Sequence, residues 1–317
     1  MDETAVQTQC TEILDRIGEV VVTDRSTLET ILVGILSDGH ILLEDVPGTG
    51  KTLTARAFAE ALGLSASRVQ FTPDLLPADV VGSNVFNEVT TDFEFQPGPV
   101  FANVVLADEI NRAPPKTQAA LLEAMAEGQV TVDGESHSLP EPFVVIATQN
   151  PVESSGTFEL PAAQTDRFML KTSLGYPDRD GERELLDRRA SRSTAEPSIS
   201  QLCTREEITR LREAPESVRV DEKAQTYIVD IARATRNDRR VATGVSPRGI
   251  QRLFEAARGR AALSGRSYVT PDDIKQLAAP AFAHRLVLTP DGRVEGVSPA
   301  AIIEAILETV AVPQLTA

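Results

Sequence analysis

An apolar run, a glycine-rich loop and a helix-forming segment follow one another early in the chain and limit the folds that it can adopt. The run is Ile41-Leu42-Leu43, and the loop reads Asp45-Val46-Pro47-Gly48-Thr49-Gly50-Lys51-Thr52. Residues 52–62 are good helix formers, and Gly63 follows them at a position typical of a helix end. A strand, a tight glycine loop and a helix in this order predict a loop that cradles phosphate groups.

The residue types in this loop suit nucleotide chemistry. Glycines let backbone N–H groups close round a β-phosphate, and the helix N-terminus adds its positive dipole end. Lys51 is predicted to reach the β- and γ-phosphates, and the Thr52 hydroxyl to ligate Mg²⁺. Asp45 departs from the pattern, which has glycine there, so a fortuitous glycine turn is the alternative. The predicted nucleotide contacts are Pro47, Gly48, Thr49, Gly50, Lys51, Thr52 and Leu53.

Two more apolar runs end in polar side chains suited to hydrolysis. Residues 103–107 lead into Asp108 and Glu109, 57 residues after Lys51 and, we expect, on a neighbouring strand. At the carboxyl edge of a parallel sheet, Asp108 would hold Mg²⁺ through water and Glu109 would act as general base. Residues 143–148 lead to Asn150, whose amide could contact the γ-phosphate or the same water. The alternatives are a solvated strand end and a turn residue before proline.

The order of these segments predicts the fold class. Apolar strands alternating with helices favour an α/β fold whose parallel sheet is covered on both faces. After residue 177 no comparable strand run occurs, and helix starts dominate instead. We therefore predict an α/β core over residues 1–177 and a helical domain over residues 178–317. The helix starts are Thr204 with Glu207, Thr270 with Pro271 and Asp273, and Ser298 with Pro299.

Longer motifs resemble those of a known family. Residues 107–125 read ADEINRAPPKTQAALLEAM, and ATQNP (147–151), LPAAQTDRF (160–168) and SPR (246–248) follow. Together they resemble the MoxR family of AAA+ ATPases, including the helix 2 insert over residues 70–101. The resemblance implies a P-loop NTPase core with an all-helical lid, ATP and Mg²⁺ as cofactors, and ATP hydrolysis by a homo-oligomeric, hexameric ring.

The resemblance also implies roles for two arginines. Arg167 matches the arginine finger that enters the neighbouring subunit's site, and Arg248 matches the sensor 2 arginine of the lid. Arg112 is a rival for the contact across the interface. A plain surface charge, worth about 1 kcal/mol or less, is the alternative for each arginine. Ala162 and Thr165 replace the glutamate and leucine more usual before the finger.

The net charge of the chain limits the classes of partner that it can bind. The formal net charge is -16, which repels phosphate backbones. Residues 129–138 predict a hairpin with Asp133 and Glu135 but no lysine or arginine, so nucleic acid is not an expected partner. The resemblance implies chaperone-like remodelling or assembly of a protein substrate, with von Willebrand factor A domain proteins as typical partners. A metal-insertion motor like the magnesium chelatase I subunit and a nucleotide-gated scaffold are the alternatives.

Composition adds expectations about location. No leader-like N-terminus and no long apolar span is visible, so we expect a cytoplasmic protein without membrane insertion. The two cysteines show no paired spacing, and His40 and His284 are expected to be structural. Only five of the 31 basic residues are lysine. A salt-rich cytoplasm would explain this bias, as would a merely acidic mesophilic protein.

Overall fold

The computed structural model describes residues 2–150, 158, 160–192, 194, 197 and 199–314. Within them the strands are β1 (Ile41–Glu44), β2 (Ala66–Gln70), β3 (Gly82–Asn87), β4 (Asp92–Pro97), β5 (Val104–Asp108), β6 (Gln129–Val132), β7 (Glu135–Ser138), β8 (Val144–Gln149), β9 (Leu170–Thr172), β10 (Val241–Thr243) and β11 (Val287–Leu288). Five of them form a parallel sheet in the order β2-β5-β8-β1-β9. The predicted α/β class is confirmed.

Helices cover this sheet and form the C-terminal part. They are α1 (Glu3–Gly18), α2 (Arg25–Leu36), α3 (Lys51–Ala61), α4 (Pro77–Val81), α5 (Pro115–Glu127), α6 (Ala162–Thr165), α7 (Arg179–Ser191), α8 (Arg205–Glu213), α9 (Glu222–Asn237), α10 (Pro247–Leu263), α11 (Pro271–Phe282), α12 (Pro290–Val294) and α13 (Pro299–Thr309). Short 3₁₀ turns lie at Ile110–Arg112, Ala214–Ser217 and Ala283–Arg285. From α7 onward the only paired strands in the described part are the short β10 and β11, so the predicted helical lid is confirmed.

Alternate residues of the central strands face opposite sides of the sheet, as the strand period of two requires. Leu43 and Leu106 join a core with α1, α2, α3 and the lid helices. Leu42 and Val105 join a second core with α5 and the elements beside it. Since both faces are buried, the central strands read as continuous apolar runs.

The placement of the Asp108 strand corrects one expectation. We predicted β5 beside β1, but β8 lies between them and pairs with both. The two edge strands β2 and β9 were not predicted. Polar, partly exposed residues dominate β2, and β9 has only three residues, so neither strand produces a distinct apolar run.

Local capping explains where the lid helices begin. Thr204 with Glu207 and Thr270 with Asp273 form capping boxes at α8 and α11, as predicted. Ser298 accepts a hydrogen bond from the third residue of α13.

Two antiparallel hairpins project from the core. The insert hairpin, β3 and β4, lies in the chain between β2 and β5, and the second hairpin, β6 and β7, precedes β8 as predicted. Asn84 Nδ2 donates to Asp133 Oδ2 at 2.8 Å, and the rings of Phe95 and His137 stack with centroids 3.8 Å apart. The two hairpins therefore form one joined unit. None of the described helices combines the length and hydropathy needed to cross a bilayer.

A buried guanidinium joins the lid to the core. Arg285 is 4% exposed, and its Nε lies 2.7 Å from Asp166 Oδ1 beside α6. Its Nη2 also donates to the carbonyl oxygens of Asp166 at 3.1 Å and Phe168 at 2.7 Å. Burial lowers the pKa of Arg285 to about 10, although the Asp166 charge opposes that shift. Arg285 thus ties the lid to the segment that carries Arg167.

We expect Arg285→Met to lower the free energy of unfolding by about 3–5 kcal/mol. Methionine replaces the aliphatic stem, but it leaves Asp166 without its cation and the two carbonyl oxygens without their donor. Chemical denaturation monitored by circular dichroism measures the change. Arg293→Met, at an exposed arginine of α12, is the matched control and should shift stability by about 0.5 kcal/mol or less. Equal stability of the two variants would contradict this account of the joint.

Candidate functional site

The glycine loop follows β1 and opens into α3. Gly48 and Gly50 have φ values of +87° and +93°, a region that glycine occupies without steric cost. A Cβ at either position would meet no atom within 4 Å, so the space beside the loop is open. The N-terminus of α3, which begins at Lys51, therefore offers unpaired backbone N–H groups to an anion.

Lys51 lies against its own loop. Its side chain Nζ donates to the carbonyl oxygens of Asp45 at 2.6 Å and Val46 at 3.0 Å. Burial lowers the pKa of Lys51, and the nearby carboxylates of Asp45, Asp108 and Glu109 oppose that shift. A phosphate group would offer this ammonium a stronger, charged acceptor than the two carbonyl oxygens.

The Asp108 carboxylate receives hydrogen bonds from three different elements. Thr148 Oγ1 of β8 donates to Oδ1 at 2.6 Å. Arg68 Nη2 of β2 and Thr52 Oγ1 of α3 donate to Oδ2 at 2.8 Å and 3.3 Å. Burial alone would raise the pKa of Asp108, but the bonds from Thr148 and Arg68 outweigh it, and the pKa lies below its ordinary value. A hydroxyl beside an ionised carboxylate is a donor set that suits Mg²⁺.

Glu109 has a left-handed backbone, with φ of +57°, which is uncommon outside glycine. Its N–H donates to Thr148 Oγ1 at 2.8 Å. Its carboxylate accepts from Gln70 Nε2 at 2.8 Å and pairs with Arg112 Nε at 3.2 Å. Both carboxylate contacts are made through Oε2, so Glu109 is held beside Asp108 by residues of its own subunit.

The structure brings most of the predicted site residues together. Asn150 is buried directly after β8, between the loop after β1 and the acids after β5. Pro151 lies outside the described residues. Because β8 separates the other two strands, its end lies between Lys51 and Glu109 along the sheet edge.

The two arginines predicted to act from the interface and the lid do not reach this cluster. Arg167 is half-buried, and its Nη1 donates to the carbonyl oxygen of Leu122 on α5. Arg248 is exposed at the start of α10 and makes no hydrogen bond or ion pair with the residues that the structure describes. Arg112 contacts Glu109 within the same chain.

Sequence reasoning missed Arg68, Gln70 and Thr148 at this site. Arg68 and Gln70 are two residues apart, and both contact the acidic pair. Their strand was not predicted, so nothing in the sequence placed them there. Thr148 lies in the ATQNP motif (147–151), but its hydrogen bonds with Asp108 and Glu109 depend on the order of the strands.

Comparisons with known proteins agree with this geometry. Residues 40–170 match the family described as "ATPase family associated with various cellular activities (AAA)", and residues 233–306 match the "AAA lid domain". The chain is 46% identical to the uncharacterized protein YeaC of Bacillus subtilis, over 95% of this chain and 93% of that protein. It is 42% identical to the chaperone MoxR1 of Mycobacterium tuberculosis, over 95% and 81%.

A solved structure from Cytophaga hutchinsonii superposes with a TM-score of 0.90 at 38% identity, covering 98% of this chain and 97% of that one. A chloroplast magnesium-chelatase subunit of Arabidopsis thaliana is 30% identical over only 61% of this chain and 46% of its own length. YeaC and MoxR1 match over nearly the whole chain, whereas the magnesium-chelatase subunit matches over only part of it. The chain belongs to the MoxR family of AAA+ ATPases.

Proposed function

We propose that this protein hydrolyses ATP in a homo-oligomeric, hexameric ring and uses the energy to remodel a bound protein. The observation that carries the proposal is the meeting of Lys51, Thr52, Asp108 and Glu109 at one edge of the sheet. Side chains for binding phosphate, holding a metal and activating water lie together there, since Thr52 donates to Asp108 and the charges of Asp108 and Glu109 act on Lys51. A site for nucleotide binding alone has no need of Glu109.

The loop residues Pro47 to Leu53 and the N-terminus of α3 hold the phosphate groups in this proposal. Lys51 turns from the carbonyl oxygens of Asp45 and Val46 to the β- and γ-phosphates. Thr52 and Asp108 would hold Mg²⁺, which would offset charge on the phosphate oxygens. Arg68 shares the same Asp108 oxygen as Thr52 and must yield part of that contact.

Glu109 acts as the general base. It orients a water molecule and accepts its proton as the water oxygen attacks the γ-phosphorus, and the bond to the ADP oxygen breaks. Asn150, buried at the end of the strand between Lys51 and Glu109, positions the water or the γ-phosphate. Gln70 and Arg112 must release Glu109 before it can serve, so the structure corresponds to a resting arrangement.

A neighbouring subunit completes the site. Arg167 leaves the carbonyl of Leu122 and enters the adjacent site, where it offsets charge on the transferring phosphoryl group. Arg248 is free to reach the γ-phosphate from the lid, because it has no competing partner among the described residues. Hydrolysis then changes the angle between lid and core.

An exposed apolar surface supports a protein substrate. On the insert hairpin Val85, Phe86, Val89 and Phe93 are 47%, 51%, 93% and 66% exposed, and the rings of Phe86 and Phe93 meet edge to face at 5.4 Å. No lysine or arginine occurs over residues 69–111, whereas Glu88, Asp92 and Glu94 flank the aromatic pair. Such a surface suits a polypeptide segment that carries apolar and basic side chains, and it repels nucleic acid.

The other functions have weaker support. The family suggests a von Willebrand factor A domain protein as partner, and metal insertion would follow the magnesium-chelatase likeness, which covers only part of the chain. A scaffold that binds ATP with little turnover leaves Glu109, Asn150 and Arg167 without a purpose.

We expect Glu109→Gln to lower kcat about 100-fold or more, because glutamine cannot accept a proton from water. ATPase activity is measured against protein concentration with Mg²⁺, and wild-type specific activity should rise steeply as rings form. Glu123→Gln, at an exposed position of α5, is the matched control and should behave as wild type. An active Glu109→Gln variant would refute the role of Glu109, and a wild type that binds without hydrolysing would favour the scaffold.

Lys51→Met should weaken ADP binding about tenfold to 100-fold, because it removes charge-assisted hydrogen bonds worth about 1.5–3 kcal/mol. Titration of the full-length protein with a fluorescent ADP analogue measures the affinity. Lys116→Met removes an exposed lysine at the start of α5 and should leave the affinity unchanged. Unaltered binding by Lys51→Met would place the nucleotide elsewhere.

The double substitution Phe86→Ser with Phe93→Ser should weaken binding of a labelled peptide of alternating leucine and lysine about tenfold, with basal ATPase activity kept. Fluorescence anisotropy measures the binding. Leu186→Ser, at a 72% exposed position of α7, is the control. A peptide with glutamate in place of lysine should bind weakly to every variant. Equal binding of the lysine peptide to the double variant and wild type would exclude this surface.

A further inference from the structure

The departure from the glycine-loop pattern at Asp45 has a definite structural role. Residues 173–175, which we term the joining segment, follow β9 and carry the chain from the sheet toward α7 of the lid. Asp45 Oδ2 accepts hydrogen bonds from Leu174 N at 2.7 Å, Gly175 N at 2.9 Å and Ser173 Oγ at 3.1 Å. The Asp45 side chain therefore binds the segment that connects the sheet to the lid.

The same residue contacts the phosphate-binding lysine. The carbonyl oxygen of Asp45 accepts from Lys51 Nζ at 2.6 Å, and its N–H donates to the carbonyl oxygen of Gln149 at the end of β8 at 3.1 Å. Asp45 is 7% exposed, so water competes little for these contacts. One residue thus bonds to Lys51 through its backbone and to the joining segment through its side chain.

The joining segment is also held on its other side. Thr23 Oγ1 donates to the carbonyl oxygen of Leu174 at 3.0 Å, and Thr27 Oγ1 donates to that of Ser173 at 3.3 Å. Gly175 has φ of +68°, a turn that glycine adopts without strain. The joining segment is thus held between Asp45 on one side and Thr23 and Thr27 on the other.

A carboxylate at this position has an electrostatic cost. Glycine, the residue of the common pattern, forms such a loop without it, and a negative charge beside bound phosphates is unfavourable. The three hydrogen bonds to the joining segment offset that cost. These three bonds join the loop to residues 173–175 and do not link one loop residue to another.

We infer that Asp45 is a positioning residue that transmits phosphate binding at Lys51 to the segment joining the sheet to the lid. This inference rests on the proposed function, since it requires a nucleotide at the loop. When Lys51 turns to phosphate, Asp45 loses the cation on its carbonyl and gains negative charge nearby. Its hold on Leu174 and Gly175 then differs between the free and bound states, which is the differential contact that coupling requires.

Hydrogen exchange of the full-length protein with and without ADP and Mg²⁺ tests the inference. In the wild type the amides of Leu174 and Gly175 should exchange slowly, and ADP should change their rates about fivefold to 100-fold. In Asp45→Gly the same amides should exchange fast with or without ADP, while ADP affinity stays within about threefold of wild type because the common loop pattern has glycine there. The variant's kcat for ATP should fall more than its KM rises.

Two further variants keep the test decisive. Asp45→Asn keeps one acceptor oxygen and should restore part of the amide protection, and it carries the test if Asp45→Gly does not fold. Asp178→Asn is the matched control, because Asp178 Oδ1 also accepts a backbone amide, from Gly181 at 2.8 Å, and makes no bond to the glycine loop. It should leave the ADP response at residues 174 and 175 intact.

The outcomes separate this inference from the proposed function. An Asp45→Gly variant that keeps the wild-type ADP response at both amides would overturn the coupling, whatever its turnover. A wild type that shows the response but does not hydrolyse ATP would refute the proposed reaction and support the coupling.

Discussion

The carboxylate of Asp108 is the contact on which the arrangement of the site depends. Hydrogen bonds from Thr148 on β8, Arg68 on β2 and Thr52 on α3 converge on its two oxygens. Each donor belongs to a different element, so the carboxylate links the phosphate loop to the strands on both sides of β5. Glu109 follows Asp108 directly, and its backbone is held by the same threonine. A different strand order would therefore separate the Asp108 carboxylate from the loop and displace Glu109 at the same time.

The sequence predicts the chemistry of this site better than its spatial arrangement. Loop spacing and strand-end acids suffice to identify Lys51, Thr52, Asp108 and Glu109 as candidates, because each lies next to a strong local pattern. Strand adjacency is a long-range property, and nothing in the residues around Asp108 indicates that β8 separates it from β1. The partly exposed strand that carries Arg68 and Gln70 lacks an apolar run for the same reason that it can occupy the sheet edge.

Buried residues with distant partners were equally hard to predict. Cys10 and Cys203 are far apart in the chain, yet both lie in the core shared by α1 and the lid, and burial raises the pKa of Cys10 to about 12. His40 fits the structural role predicted for it, since its Nδ1 accepts from Val145 N and its Nε2 bonds to the carbonyl oxygen of Met125, each at 3.0 Å. The sequence indicated a structural role for His40, but its hydrogen-bond partners could be identified only from the fold.

The ion pair that holds Glu109 is weak enough to be exchanged. A partly exposed ion pair such as Glu109 with Arg112 is worth about 1 kcal/mol, and a factor of ten in population needs only about 1.4 kcal/mol. Around Lys51 lie three carboxylates, of Asp45, Asp108 and Glu109, and their charges are balanced by Lys51, Arg68 and Arg112. A bound nucleotide would add phosphate charge that the described residues of this cluster have no spare cation to balance, so in the proposed reaction Mg²⁺, Arg248 of the lid and a neighbouring subunit's Arg167 would supply it. In that proposal each site would depend on its nucleotide, its lid and its neighbour together, because none of them alone would balance the added charge.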